Sequence, residues 1–138
     1  MSKEKQDKII TAGKRKTAVA KALIVPGNGE IKINKKPYQQ LTYFKRLMIE
    51  EPVELTKQTL GNFNYNLSIS ISGGGQESQI EAARLAIAKA LVKFTKSTEL
   101  KKAFLAYDRN LLIADTRRKE AYKPGDSKAR AKRQKSYR

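Results

Sequence analysis

Glu50 and Glu54 are the residues whose type and spacing come nearest to a catalytic pair. They stand four positions apart, so on a helix their carboxylates would share one face and could act as general acid and base. The alternative is structural, because acidic residues near the beginning of a helix interact favourably with its dipole. No histidine, metal-ligand cluster or glycine-rich pocket accompanies the pair, and we therefore prefer the structural explanation.

The chain contains neither histidine nor cysteine. It therefore lacks the commonest general base and metal ligand, and it has no thiolate nucleophile and no disulfide. Acid-base or metal chemistry would have to rest on carboxylates and lysines alone. We predict no catalytic residues, no metal site, no cofactor and no small-molecule substrate, and hence a protein that is not an enzyme. The absence of cysteine also fits a reducing compartment.

A run of three glycines at 73–75 precedes the longest helical pattern of the sequence. Such a turn at a helix N-terminus could cradle a phosphate. The run lacks the Gly-Lys-Ser/Thr ending of a P-loop and the spacing of a dinucleotide fingerprint. Close packing of backbone at a turn from strand to helix is the preferred explanation. Ser78 and Glu81 have the spacing of a capping box at the beginning of this helix.

Positive charge is the strongest chemical signal in the sequence. The 138 residues carry 30 Lys or Arg against 13 Asp or Glu, a net charge of +17. Residues 117–138 hold ten of these cations and two acids, and contain no Val, Ile, Leu, Met, Phe or Trp. Such a segment cannot build a core, and ordering it would cost ~1 to 2 kcal/mol per residue. We predict a globular domain at 1–116 and an extended basic tail at 117–138, disordered when free, that binds a polyanion.

Nucleic acid is the partner that best matches this charge, because each Lys or Arg that contacts a phosphate releases condensed counterions. An anionic membrane would require an apolar face interleaved with the cations, and the tail has none. Within the uncharged run at 58–76, polar residues occupy every second position from 64 to 72, which is typical of a strand and not of a membrane helix. The N-terminus is charged and lacks the apolar run of a secretory signal. We therefore expect no membrane association.

The spacing of apolar residues predicts the elements that position these groups. Strands are predicted at 17–25, 30–34, 63–72 and 111–114, the first two joined as a hairpin by the turn residues at 26–29. Helices are predicted at 41–48, at 52–60 with Pro52 in the first turn, at 78–94 and at 98–107. The fold class is therefore α+β, a single domain with about four strands covered by helices.

The cluster Lys14, Arg15 and Lys16 stands at the entry to the first predicted strand. It has two open interpretations, a solvated strand entry or a clamp for phosphate. The alternating Asn and Ser residues at 64–72 likewise could abut RNA or simply meet water, and solvation is the preferred account.

Four stretches together carry a resemblance to a known family. TAGKRKTAVAKA at 11–22, SGGGQESQIEAARLAIAKAL at 72–91, YDRNLLIADTRRKE at 107–120 and KARAKRQKSYR at 128–138 resemble the small-subunit ribosomal protein nine family. They occur in the family's order and span nearly the whole chain. The closing QKSYR is similar to the archaeal and eukaryotic branch.

The resemblance implies a structural constituent of the small ribosomal subunit, located in the cytoplasm within ribosomes. The body would bind small-subunit rRNA in the head, beside neighbouring ribosomal proteins. The tail would extend toward the anticodon stem-loop of the peptidyl-site tRNA. A free RNA chaperone or a DNA-compacting protein would share the charge, but it should lack a unique binding site.

The resemblance also implies which residues make these contacts. Carried over by position, the rRNA contacts are Lys14, Arg15, Lys16, Arg109, Arg117 and Arg118. Other basic residues complete the expected rRNA-binding set: Lys35, Lys36, Lys119, Lys123, Lys128, Arg130, Lys132, Arg133 and Lys135. Arg138 is the expected tRNA contact, helped by Ser136 and Tyr137.

Overall fold

One mixed sheet of five strands carries the fold in the computed structural model, which describes residues 7–125, 127–132 and 137. The strands are β1 (Ile9–Arg15), β2 (Ala18–Pro26), β3 (Ile31–Ile33), β4 (Lys36–Pro37) and β5 (Tyr65–Ser72). Their order in the sheet is β1-β2-β5-β3-β4, with β3 parallel to β5 and the other neighbours antiparallel.

The described residues also form three α-helices, α1 (Tyr43–Leu60), α2 (Gln76–Thr95) and α3 (Thr98–Tyr107). Short 3-10 turns at Tyr38–Gln40 and Arg109–Leu111 precede α1 and follow α3. From Ile113 onward the described residues lie in neither helix nor strand. The predicted class, a single α+β domain, is confirmed.

The core lies between the helices and one face of the sheet. Alternation along β2 and β5 places one set of side chains inward, where Ala20, Ala22, Ile24, Leu67 and Ile69 are buried. The predicted apolar face of α2 packs against this set, and α3 packs against α1 and α2. Large helical residues of the core include Ile49, Ile80, Ile87, Leu91, Leu100 and Phe104.

Small residues set how closely α2 approaches the sheet. A Cβ placed on Gly13 of β1 would lie 2.3 Å from the carbonyl oxygen of Ala82 in α2, so any other residue would push the two apart. Gly74 has φ +64° and sits against Ala18, whose backbone nitrogen would be 2.9 Å from an added Cβ. This supports the explanation of the 73–75 run as a closely packed turn.

The predicted hairpin between 17–25 and 30–34 is wrong. β5 pairs with β2 along its whole length, from Val19 with Ser72 to Pro26 with Tyr65, and β3 lies on the other side of β5. The eight-residue β5 provides a longer apolar partner than the three-residue β3. The hairpin that does form joins β1 to β2, and β1 and β4 were not predicted.

The two predicted helices at 41–48 and 52–60 are one helix, α1, with Pro52 inside it. A proline within a helix removes one hydrogen bond and costs about 3 kcal/mol. Burial of Ile49, Pro52 and Val53 offsets this cost, and Thr56 Oγ1 donates to the Pro52 carbonyl at 2.7 Å. Gly61, at φ +81°, ends the helix as predicted.

Two further predictions are corrected by the structure. Gly75 is the N-cap of α2, so Ser78 lies within the first turn and makes no capping box with Glu81. Glu81 pairs instead with Arg15. The run at 111–114 is not a strand, because Leu111 is fully buried at the end of a 3-10 turn that packs on α2 and α3.

Candidate nucleic-acid interface

One end of the sheet collects several of the predicted basic residues. The two-residue turn between β1 and β2 carries Lys16, and the turn between β3 and β4 carries Lys35. Ser72, the last residue of β5, pairs with Val19 beside the first turn, and Ile71 N–H donates to the side chain of Asn34 in the second. Both turns therefore lie at the same end of the sheet, which we call the basic end.

The basic end presents its cations to solvent. Lys14, Lys16, Lys35 and Lys36 are exposed, and so is Arg109 at the turn that follows α3. None of these five lies within 4.0 Å of a carboxylate that belongs to the described residues. Lys16 and Lys35 also have positive φ, at +52° and +67°, as the chain reverses direction at both turns. These side chains are free to meet phosphate oxygens.

Arg15 is placed differently from its two neighbours. Its side chain is only 16% exposed, and its guanidinium lies 2.6 Å from Glu81 of α2 and 2.7 Å from Asp115. It therefore joins β1, α2 and the segment that leads into the tail. Among the three residues of the predicted cluster, Arg15 mainly links elements of the body through ion pairs, a role that we call an internal tie. Lys14 and Lys16 face outward.

Arg84 forms a second internal tie that sequence reasoning missed. Its side chain, 14% exposed, reaches Glu51 of α1 at 2.5 Å and Asp108 after α3 at 3.2 Å. Nothing in the local sequence separates Arg84 from a surface arginine of α2. Only the position of its partners, 33 residues before and 24 residues after it, reveals its role.

A cleft of about 210 Å³ lies between these two arginines at the beginning of the tail. Its charged lining contains four cations, Lys14, Arg15, Arg84 and Arg117, and three acids, Glu81, Asp108 and Asp115. The cleft is thus nearly balanced in charge. We interpret the cleft as the place where ion pairs attach the beginning of the tail to the body, and not as a phosphate-binding pocket.

Arg117 makes the first contact of the tail with the body. Its guanidinium and backbone N–H both donate to Asp115, with the side chain bonded to both carboxylate oxygens. These hydrogen bonds from Arg117, with a smaller contribution from Arg15, hold the pKa of Asp115 well below its ordinary value. The same contact raises the pKa of Arg117. Arg117 remains 79% exposed, so its outer edge still faces solvent.

Further along the tail, the described basic residues are exposed. Arg130 pairs with Glu120 at 2.8 Å, which lowers the pKa of that carboxyl, and the ammonium group of Lys119 lies 4.2 Å from the ring centre of Tyr122. Arg118, Lys123, Lys128 and Lys132 are also exposed, as is Tyr137. The predicted contacts Arg133, Lys135, Ser136 and Arg138 lie outside the described residues.

Each carboxylate of the candidate catalytic pair forms an ordinary ion pair with a basic residue of its own helix. Glu50 lies 3.9 Å from Arg46, and Glu54 lies 3.2 Å from Lys57, all on α1. Both carboxylates sit in the middle of α1, so the explanation by a nearby helix N-terminus is wrong. Burial and then Glu50 raise the pKa of Tyr38, which moves it further from useful acid-base chemistry.

Within the part of the chain that the structure describes, no group of three or more acidic residues is arranged to hold a metal ion. No helix in that same part has the length and apolar character needed to cross a membrane.

The sheet face opposite the helices holds basic residues that the sequence analysis did not select. Lys21 of β2 and Lys32 of β3 are exposed there with Lys14, and the exposed Ser68, Ser70 and Ser72 run between them. The alternating pattern of β5 indicated a polar face. Without the pairing of the strands, no signal connected its serines to lysines elsewhere in the chain.

Comparison with known proteins connects this geometry to a family. The model of the family described as "Ribosomal protein S9/S16" matches residues 13–138. The chain is 46% identical over 131 residues to "Small ribosomal subunit protein uS9" of Methanococcus vannielii, covering 93% of this chain and 96% of that protein. Proteins of the same name from two strains of Methanococcus maripaludis are 47% identical with the same coverage. The archaeal source of these relatives confirms the branch indicated by the C-terminal residues.

Proposed function

Because the chain belongs to the ribosomal protein S9/S16 family, we propose that it binds small-subunit rRNA in the head of the subunit and extends its tail toward the anticodon stem-loop of the peptidyl-site tRNA. Proteins of this family are structural, non-enzymatic constituents of the ribosome, so the protein resides in the cytoplasm within ribosomes. The rRNA and tRNA contacts, and the neighbouring proteins of the head, are the parts that we propose.

This proposal rests on the division of the basic residues of the body into two groups, those paired with carboxylates and those exposed without such a partner. Arg15 and Arg84 are only partly exposed and are paired with carboxylates, while Lys14, Lys16, Lys35, Lys36 and Arg109 are exposed without a carboxylate among the described residues. Exposed cations that lack acidic partners retain their full capacity to displace counterions from a phosphate backbone. The body therefore offers exposed cations for rRNA, while Arg15 and Arg84 link its elements through ion pairs.

The tail leaves the body beside the same cations. Arg117 is fixed through Asp115 to Arg15, and Arg15 is the neighbour of the exposed Lys14 and Lys16. RNA bound at the basic end would thus lie next to the beginning of the tail. Its phosphates could then bind the basic residues that follow Arg117. A segment with so little apolar surface gains order mainly from such a polyanion.

Contacts of this kind would read the backbone and not the sequence. Lys and Arg bind phosphate oxygens, and Arg or Tyr137 can stack on exposed bases of any type. A tail that ends in such residues should hold every tRNA with similar affinity. This suits a peptidyl site, which all elongator tRNAs occupy in turn.

Deletion of Lys128–Arg138 tests the tRNA contact. Small subunits that contain the shortened chain should assemble, because the body ends before the deletion, and should release peptidyl-site tRNA faster than wild-type subunits. A variant with the basic residues of 128–138 replaced by Gln keeps the length and separates charge from reach. Equal tRNA dissociation rates in all three subunits would contradict the proposed tail contact.

Sedimentation of a cell lysate tests the rRNA contact against a free RNA chaperone. The protein should migrate with small subunits and remain there after a moderate salt wash, because many phosphate contacts are made at one site. Recovery mostly at the top of the gradient would overturn the proposal and favour the chaperone.

A further inference from the structure

The sheet face opposite the helices, which we call the open face, carries a row of serines and exposed lysines together with half-buried apolar residues of β2. The inward side chains of β1 and β2 pack on α2, and Thr11 Oγ1 donates to the Ala86 carbonyl at 2.9 Å. The alternate side chains therefore point away from the helices, and no helix of the described residues covers them. The open face is thus available to a partner.

Serine hydroxyls form the centre of the open face. Ser68, Ser70 and Ser72 occupy alternate positions of β5, the middle strand of the sheet, and all three are exposed. Alternate residues of a strand stand about 7 Å apart, so the hydroxyls form a straight row about 14 Å long. Each hydroxyl can both donate and accept a hydrogen bond.

Lysines flank this row on both sides. Lys21 pairs with Ser70 from β2, and Lys14 lies one strand further out, beyond the Val19 that pairs with Ser72. Lys32 pairs with Ser68 from β3 on the other side. Of the acids among the described residues, Glu30 is the one that pairs with these lysines, at 3.5 Å from Lys32, and both of those side chains are more than half exposed. One lysine thus lies beside the neutral hydroxyl row on each side, with Lys14 one strand further out, and on β2 the half-buried Val19 and Leu23 pair with Ser72 and Ser68.

We propose that the open face docks on the minor groove of a double-stranded segment of rRNA. An A-form helix has a wide, shallow minor groove that displays 2′-hydroxyls between its two phosphate backbones. The serine row matches the hydroxyls and the flanking lysines match the backbones. The deep, narrow major groove would not admit a sheet. This inference rests on the proposed binding of rRNA and adds the surface and the form of RNA that it recognises.

The open face should therefore distinguish RNA from DNA. A DNA duplex offers phosphates but no 2′-hydroxyl, so the serines would lose the partner that the minor groove of RNA presents. Binding of the full-length protein is measured with an RNA duplex of about 16 base pairs, with a DNA duplex of the same sequence and with single-stranded RNA, each over a range of salt. The wild-type protein should prefer duplex RNA to duplex DNA.

The serine row is tested by a matched pair of variants. S68V/S70V/S72V removes the hydroxyls, and S68T/S70T/S72T keeps them on side chains of nearly the same shape, both of which suit a strand. Each lost hydrogen bond should lower affinity for duplex RNA about two- to tenfold. The Val variant should lose the preference for RNA, and the Thr variant should keep it. An unchanged preference in a folded Val variant would overturn the inference.

The flanking lysines are tested by K21Q/K32Q, which leaves Lys14 of the basic end in place. At ~0.9 per phosphate contact, as for duplex DNA, the slope of log affinity against log salt should become shallower by about 2. K93Q/K102Q removes two exposed lysines from α2 and α3 and gives the same net charge. It should leave the slope nearly unchanged. Equal slopes for the two variants would overturn the placement of the backbones on the open face.

The same titrations separate this inference from the proposed function. Wild-type protein with salt-dependent RNA binding, together with open-face variants that bind duplex RNA normally, would refute the inference alone. Wild-type protein without salt-dependent binding to any RNA would refute the proposed function as well. Open-face variants that bind duplex RNA normally but no longer enter small subunits would identify a neighbouring protein as the occupant, which also overturns the inference.

Discussion

Replacement of Arg84 by methionine should destabilise the body without weakening its binding to RNA. Methionine keeps an unbranched apolar stem at this position of α2 but removes the guanidinium and its charge. Glu51 and Asp108 would then lose the guanidinium that lies 2.5 and 3.2 Å from them. Both carboxylates would be left partly buried without a basic partner at that position.

The size of the effect follows from burial. Breaking a fully buried ion pair costs about 3 to 5 kcal/mol, because a charge remains uncompensated in a low dielectric. Glu51 and Asp108 are 33% and 37% exposed, so water screens part of the remaining charge. We therefore expect a loss of about 2 kcal/mol in the free energy of unfolding. For a domain of this size, that corresponds to a fall in Tm of about 6 to 10 °C.

Thermal and urea unfolding followed by circular dichroism measure this loss. K102M makes the same change in charge at an exposed position of α3 and should alter stability by less than about 0.5 kcal/mol. Combining R84M with D108N should restore part of the loss, because the uncompensated carboxylate is removed. A Tm for R84M equal to that of K102M, or RNA binding much weaker than that of K102M, would refute the assignment of Arg84 as an internal tie.

Three other changes test further parts of the structure. Phe104→Ala should cost about 3 to 5 kcal/mol of stability in urea unfolding, because the side chain is fully buried between α1, α2 and the turn after α3; a cost below about 1 kcal/mol would contradict that placement. Asn66→Ala should speed hydrogen exchange of three backbone N–H groups in the loop after β2, since its Oδ1 accepts from all three at 2.9 to 3.1 Å, and unchanged protection would show that the loop is held otherwise. The depressed pKa of Asp115 stabilises the native contact at neutral pH, and this contribution is lost as pH falls from the ordinary carboxyl range through the native value. Arg117→Gln should raise the pKa of Asp115 toward its ordinary value in an NMR titration, whereas an unmoved pKa would mean that Arg117 does not set it.

Local patterns in the sequence predicted the elements that are stabilised locally. The alternation at 63–72 predicted β5, and the apolar periodicity at 80–94 predicted the buried face of α2. Gly61 predicted the end of α1 because glycine adopts the positive φ of a helix C-terminus without steric cost. Pairing between strands that are distant in the sequence could not be predicted, because no local pattern indicates that β5 lies between β2 and β3 in the sheet. Pro52 misled the prediction of α1 because tertiary burial outweighs its local cost.

The basic character of the site could be predicted from the sequence. Which of its cations are exposed and which form internal ion pairs could not. Lys16 and Arg15 are adjacent in the sequence, and nothing there separates an exposed turn residue from one that reaches Glu81 and Asp115. The distinction arises only when β1 packs on α2. The open face was missed for a similar reason, because its lysines and serines come from strands that are far apart in the chain and meet only in the sheet.

The central claim is that exposed cations of the body and tail bind phosphates of RNA. The affinity of the full-length protein for a single-stranded rRNA fragment, measured across a range of salt concentrations, tests it most directly. With about six phosphates neutralised, log affinity should fall against log salt with a slope near −4 for single strands. A slope near zero would contradict the claim, because binding would then not depend on phosphate.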